Sequence, residues 1–177
     1  KRVLQTAAVI LLMLSLGLGS VMLASPTARA TIVRWVTEWY ETHIVFRYAG
    51  EDAPGEMPRY ELGELPEGFV ENLESQFVGT GMTAHFYENE KGDVILFEYI
   101  YMQQGSLSGV NTENAYVISV IVNDCEGLLV IPKEEDSNSM LMWLDPEHDL
   151  QFTLDAPLGQ EDILHMAESV HLVETTK

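Results

Sequence analysis

This chain of 177 residues is short of cysteine, of cations and of every familiar catalytic signature. Cys125 is its one cysteine, so no internal disulfide can form and stability must come from packing. Lys and Arg number 9 against 28 Asp and Glu. From Tyr48 onward 26 acidic residues face only Arg59, Lys91, Lys133 and Lys177, a net charge near −22. Such a field repels phosphate backbones and anionic headgroups, which excludes nucleic acid as a partner. A nucleophile elbow, a P-loop, a dinucleotide fingerprint, H-E-x-x-H and the Cys/His zinc spacings are all missing. The pattern points to a non-enzymatic protein with no cofactor, no metal site and no catalytic residue.

What is present begins with an uncharged run between Arg2 and Arg29. At about 1.5 Å per residue this run, as a helix, spans a hydrocarbon core of about 30 Å. Residues 3–24 are therefore expected to sit in a membrane. A secretory signal is the alternative, with Ala28-Arg29-Ala30 as its cleavage site. The apolar stretch exceeds the usual signal core, and a first residue of Lys rather than Met points to a longer product, so a retained anchor is the preferred reading. Either reading exports the acidic body of the chain. Lys1 and Arg2 on one flank against Arg29, Arg34 and Arg47 on the other leave the orientation open by charge counting. The acidic body decides it, because the cytoplasmic leaflet is the more anionic one. The expected location is the cell membrane, single-pass, with an extracytoplasmic C-terminal domain.

After the run, Ile32, Trp35, Val36, Trp39, His43 and Phe46 recur at steps of three and four, with Arg34, Thr37, Glu38 and Glu41 opposite. This spacing predicts an amphipathic helix over 31–47. Trp35, Trp39 and Tyr40 fit a membrane interface or packing on the domain equally well. Residues 50–58, rich in Gly and Pro, read as a linker. The organisation is thus an anchor over 1–30, a helix and linker over 31–58, and an antiparallel α+β domain over 59–177.

Short β-branched and aromatic runs fill that domain: Phe69–Val78, Met82–Tyr87, Val94–Met102, Ala115–Val122, Leu128–Ile131, Met140–Leu144 and Gln151–Leu154. Turn chemistry at 79–81, 89–93, 123–127 and 145–149 predicts a meander of about seven antiparallel strands. Gly159 to Val170 closes the chain as a helix on one sheet face, through Ile163, Met166, Ala167 and Val170. Gly68 and Gly127 read as turn positions of positive φ, and Trp143 as a core anchor.

The run Val94–Met102 is apolar on both sides, with Val94, Leu96, Ile100 and Met102 on one and Ile95, Phe97, Tyr99 and Tyr101 on the other. A strand with one wet face alternates instead, so both sides are expected to be covered. The covers proposed by sequence are the C-terminal helix and, opposite, the 31–47 helix, a curled sheet, a partner or an apolar ligand. Phe97, Tyr99, Tyr101 and Trp143 are the candidate ligand or interface residues, with ordinary internal packing as the other reading. Asp145, Glu147, His148 and Asp149 offer oxygens to calcium but lack the EF-hand spacing. Glu134-Glu135-Asp136 reads as a solvated turn, His165, Glu168 and His171 as helix surface, and His85 as a structural histidine beside Phe86 and Tyr87.

A set of landmarks runs through the domain in order. Leu65-Pro66-Glu67-Gly68-Phe69 opens it, and Tyr87-Glu88-Asn89 with Gly92 forms an early hairpin. Next come Asn111-Thr112-Glu113, Val122-Asn123-Asp124 with Gly127, Leu141-Met142-Trp143 and Met166-Ala167-Glu168-Ser169-Val170. Over roughly residues 60–172 this order resembles the family known as domain of unknown function 4367. The resemblance implies an exported domain behind one membrane helix in Gram-positive bacteria, in some members tied to alternative sigma factors or anti-sigma regulators. It implies no catalytic or ligand residue. The acidic surface and Cys125 depart from the family pattern. The functional expectation is a sensory or regulatory module of anti-sigma type with a regulatory protein partner. The alternative is a module that binds a lipid or other apolar small molecule.

Overall fold

The computed structural model describes residues 35–39, 42–48, 57–103, 107–134 and 137–173. The expected span over 3–24 and most of the 50–58 linker lie outside them. Among the described residues no helix is long and apolar enough to cross a membrane.

The segment read as an amphipathic helix is instead a β-hairpin. Strand β1, Trp35–Trp39, pairs antiparallel with β2, His43–Tyr48. The period that wins is two: Ile44, Phe46 and Tyr48 are buried while His43 and Arg47 are exposed. His43, which the helical reading put on the apolar face, points outward. A segment so rich in β-branched and aromatic residues takes the strand when a third strand is there to pair with it. That strand is β8, Leu107–Asn111, which completes a three-stranded sheet on the other edge of β2.

The main sheet has eight strands, all antiparallel. One run is β9 (Ala115–Val122), β10 (Cys125–Pro132), β11 (Ser139–Asp145) and β12 (Leu150–Ala156). The other is the hairpin of β6 (Met82–Glu88) and β7 (Val94–Tyr101). The expected single meander is corrected here: β12 closes against β7, so the last of the eight strands in chain order lies in the middle of the sheet. Between β7 and β9 the chain leaves to form β8 in the smaller sheet, then enters the main sheet at its far edge. The expected strand over 69–78 is only two short pieces, β4 (Val70–Glu71) and β5 (Phe77–Val78), laid along the outer edge of β6. A further pair, β3 (Tyr60–Glu61) and β13 (His171–Leu172), ties the start of the domain to its end.

Turn chemistry explains the joints. Asn123 and Asp124 both have positive φ, 47° and 65°, as a two-residue hairpin turn of mirror-image type requires. Gly127 therefore lies inside β10 rather than in a turn, which corrects the expectation for it. A Cβ there would stand 2.7 Å from the Met142 carbonyl oxygen and 3.0 Å from the Trp143 Cβ. Close approach of β11, not φ, demands glycine.

Helix α1, Gln160–Glu168, packs on β9, β11 and β12 through Ile163, Met166 and Ala167. Glu161 and Asp162 sit in its first turn, where the helix dipole favours them. Beneath lies the main core, with Phe97, Leu129, Leu141, Trp143, Phe152 and Leu154. The opposite face of β10 and β11 is covered by the small sheet, where Ile44, Phe46 and Val110 meet Val130 and Met142. The second layer found is strands, not a helix, and it lies over β10 and β11 rather than over the 94–102 run for which two-sided cover was expected. At β7 the two faces differ. Ile95, Phe97, Tyr99 and Tyr101 are buried, while Leu96, Glu98 and Ile100 are half-buried.

Candidate ligand cleft

Alternation along β6 turns Thr83, His85 and Tyr87 toward the core side, and all three are buried. Beyond β6 the chain turns at Asn72, whose Oδ1 accepts the backbone N–H groups of Glu74 and Ser75. This turn brings Glu71 and Gln76 back over His85. His85 Nδ1 lies 2.9 Å from Glu71 Oε1. A carboxylate only accepts, so Nδ1–H donates and Glu71 leaves Nε2 as the ring nitrogen to be satisfied by another partner. The Gln76 amide nitrogen stands 3.0 Å from the same Nδ1. In the tautomer that Glu71 imposes, that amide turned by half a rotation offers its oxygen there.

The other ring nitrogen has no such support. His85 is 2% exposed, and its Nε2 is buried with no hydrogen-bond partner among the described residues. Leaving a buried polar atom unsatisfied costs about 1–3 kcal/mol. Its ring lies nearly parallel to Phe97 and Tyr99, with centroids 6.0 and 6.4 Å away.

His85 lines a cleft of about 500 Å³, within the range of small-molecule sites. Met57, Pro58 and Arg59 form one wall, Gln76, Val78, Gly79 and Thr80 the other, and Thr83, His85 and Tyr99 line it between them. Thr83 Oγ1 donates to Met57 Sδ at 3.6 Å, and the Tyr99 hydroxyl accepts from the Tyr60 backbone N–H at 3.2 Å. Arg59 also lines the cleft, its exposed guanidinium 2.6 Å from Glu61. The lining thus combines apolar side chains with Thr83, His85 and Arg59. The cleft-lining hydroxyl of Thr83 is bonded to a thioether rather than to the imidazole, so His85 activates no nucleophile by that contact.

Of the four aromatic residues singled out from sequence, Tyr99 lines the cleft. Phe97 and Trp143 lie deeper, in a stack on Phe152 with centroid distances of 6.2 and 5.1 Å and near-parallel planes. Tyr101 is buried at the end of β7. Glu71, Gln76 and Arg59 escaped the sequence reading. Nothing local marks them, because their meeting with His85 depends on a turn and two strands of two residues each.

The other polar groups are engaged elsewhere. Asp145 Oδ1 accepts the N–H groups of Glu147 and His148, and its Oδ2 lies 2.7 Å from His148 Nδ1. Those oxygens build the turn. Among the described residues no group of three or more His, Cys, Asp or Glu is placed to hold a metal ion. His165 pairs with Glu64 at 2.8 Å on the exposed surface. Burial, with Asp145, Asp124 and Glu147 adding to it, pushes the Cys125 thiol up, away from the reactive thiolate. Burial first, then Asp145 and Glu147, raises the Tyr60 phenol from 10.0 to about 12.

The family described as a domain of unknown function, number 4367, matches residues 59–170. The chain belongs to that family. No curated protein and no solved structure matches the chain. The matched stretch of this domain of unknown function 4367 runs from Arg59 at the cleft wall through the end of α1. It contains Glu71, Gln76, His85 and Tyr99, and leaves the β1–β2 hairpin outside.

Proposed function

We propose that this protein is a non-enzymatic, membrane-anchored extracytoplasmic module that senses a small molecule in the cleft beside His85 and passes the signal to a regulatory partner, in the manner of anti-sigma systems. The observation behind the binding half is that His85, whose buried Nε2 has no partner among the described residues, lines a cleft of ligand size. A ligand N–H or O–H would supply the missing donor. The location half rests on the uncharged run over 3–24 and the acidic body after it. The signalling half rests on the resemblance.

Two measurements test this reading. A panel of small donor-bearing molecules is screened by thermal shift against the full chain and against His85→Phe. The proposal requires at least one compound that raises the Tm of the first and not of the second, and a panel that treats both alike defeats it. Protease shaving of intact cells should digest the β-rich domain and spare the anchor; survival of the domain would overturn the topology.

A second reading, a carrier for a lipid or other apolar molecule, draws on the cleft surroundings. Val78 lines the cleft and is 70% exposed, and Val70, Leu73 and Phe77 stand exposed in the same edge segment. Extraction of the purified full chain followed by mass spectrometry separates the two readings. A stoichiometric lipid displaced by Val78→Asp favours the carrier, and its absence favours the sensor.

A further inference from the structure

The two edges of the main sheet are treated differently. At one, β4 and β5 pair with the outer side of β6. At the other, β9 pairs with β10 alone, and none of the described residues lies along its outer side. Strand β9 is eight residues long and reads AYVISVIV, without a charge, a proline or a glycine. None of the usual protections of an exposed edge is built into it. Two of its large side chains are uncovered: Tyr116 is 60% and Ile121 58% exposed, on opposite faces of the strand.

The surroundings of this edge are acidic. Asp124 and Glu126 stand exposed at the turn end, where Asn123 Nδ2 also donates to the Glu168 carbonyl at the close of α1. Glu113 and Glu134 stand exposed at the other end. Lys133 is the cation near the strand, 5.2 Å over the Tyr116 ring. A second copy of this chain would bring a net charge of −19 against its own kind. A strand with an uncharged apolar centre and Lys or Arg at its ends fits both the row of unpaired backbone groups and the charge around it.

We propose that β9 is a docking edge that takes up an extended segment of another protein by strand addition, and that the segment carries basic residues flanking an apolar β-branched core. Main-chain hydrogen bonds to β9 provide the attachment, Tyr116 and Ile121 pack on the incoming side chains, and the acidic ends fix the choice of partner. This surface is independent of the His85 cleft.

The test uses the full chain in zwitterionic detergent and three synthetic peptides with the core VTVTVTV: one flanked by Lys-Lys at each end, one by Glu-Glu, and the Lys form N-methylated at every core residue. The Lys peptide is expected to bind, to protect the amides of residues 116–122 from hydrogen exchange, and to bind roughly tenfold more weakly in 0.5 M than in 0.05 M salt. The Glu and N-methylated peptides should fail. Consecutive strand N–H groups point to opposite sides, so of Ser119→Pro and Val120→Pro one removes only an outward donor. The variant that keeps the circular dichroism of the parent should lose the Lys peptide. Equal binding of the Lys and Glu forms, binding of the methylated form, protection elsewhere than β9, or protection of β9 by self-association without peptide would each overturn the proposal.

Discussion

Glu71 Oε1 lies 2.9 Å from His85 Nδ1, across the 14 residues that separate an edge fragment from the strand it covers. The contact engages Nδ1 as a donor and leaves Nε2 buried with no partner among the described residues. A histidine kept for stability would have both nitrogens satisfied. His85→Phe should therefore leave stability within about 1 kcal/mol of the parent, since a ring of similar shape still lies along Phe97 and Tyr99 and the unsatisfied atom is gone. His85→Ala should cost about 3 kcal/mol through the cavity it leaves. Urea unfolding of the three proteins checks this; a Phe variant as damaged as the Ala variant would make His85 a structural residue.

Gly127 should tolerate no side chain. Gly127→Ala places a methyl against the backbone oxygen of Met142 and the Cβ of Trp143, and is expected to cost about 1–3 kcal/mol. Gly159→Ala, where a Cβ meets nothing within 4 Å, serves as the control and should be near neutral. Melting temperatures of the pair report the difference.

Trp143 is stacked on Phe152 at 5.1 Å and is 4% exposed. Trp143→Ala should cost about 3–5 kcal/mol, a large part of the roughly 5–15 kcal/mol that holds a domain together. Near-ultraviolet circular dichroism and urea midpoints would show it. A loss under about 1 kcal/mol would mean that the aromatic stack is not the core.

Stability should fall toward high pH for two separate reasons. Burial raises the Glu98 carboxyl above its ordinary value, half-sunk between the buried side chains of Ala84 and Thr153 on the neighbouring strands. A group with a raised folded-state pKa stabilises most below its unfolded value and loses that contribution as pH rises through the folded one. Glu98→Gln should thus be more stable than the parent at neutral pH, with the gap closing below the usual carboxylate range. Tyr60 repeats the pattern at the alkaline end, losing its contribution between pH 10.0 and about 12. Tyr60→Phe should flatten that limb, as read from Tm against pH; parallel curves for parent and variants would refute both assignments.

The long strands were legible because dense β-branched and aromatic runs lie between turn residues, as in 94–101 and 115–122. The hairpin of β1 and β2 was not, since five apolar residues and His43 at steps of three and four imitate a helix until β8 arrives from about 60 positions away to pair with β2. Strand β8 itself is short, and β3, β4, β5 and β13 have two residues each, below any window in which a period can be read. The cleft was illegible for a related reason: Arg59, Glu71, Gln76, His85 and Tyr99 share no spacing, and only the fold brings them near one another. Two-sided apolarity at 94–102 suggested a second layer over that strand, but the small sheet covers β10 and β11 while the Leu96–Ile100 face of β7 stays half-buried.

Strand β12 is hydrogen-bonded on both sides, to β7 and to β11, although it is the last of the eight in the chain. A ribosome that has not yet released residues 150–156 therefore holds two separate ribbons, each with an open apolar flank. Assembly of the sheet waits for β12 and then joins the two ribbons in one step, so folding is late and cooperative. Nonsense mutations before Leu150 should leave aggregation-prone fragments, not a smaller functional domain.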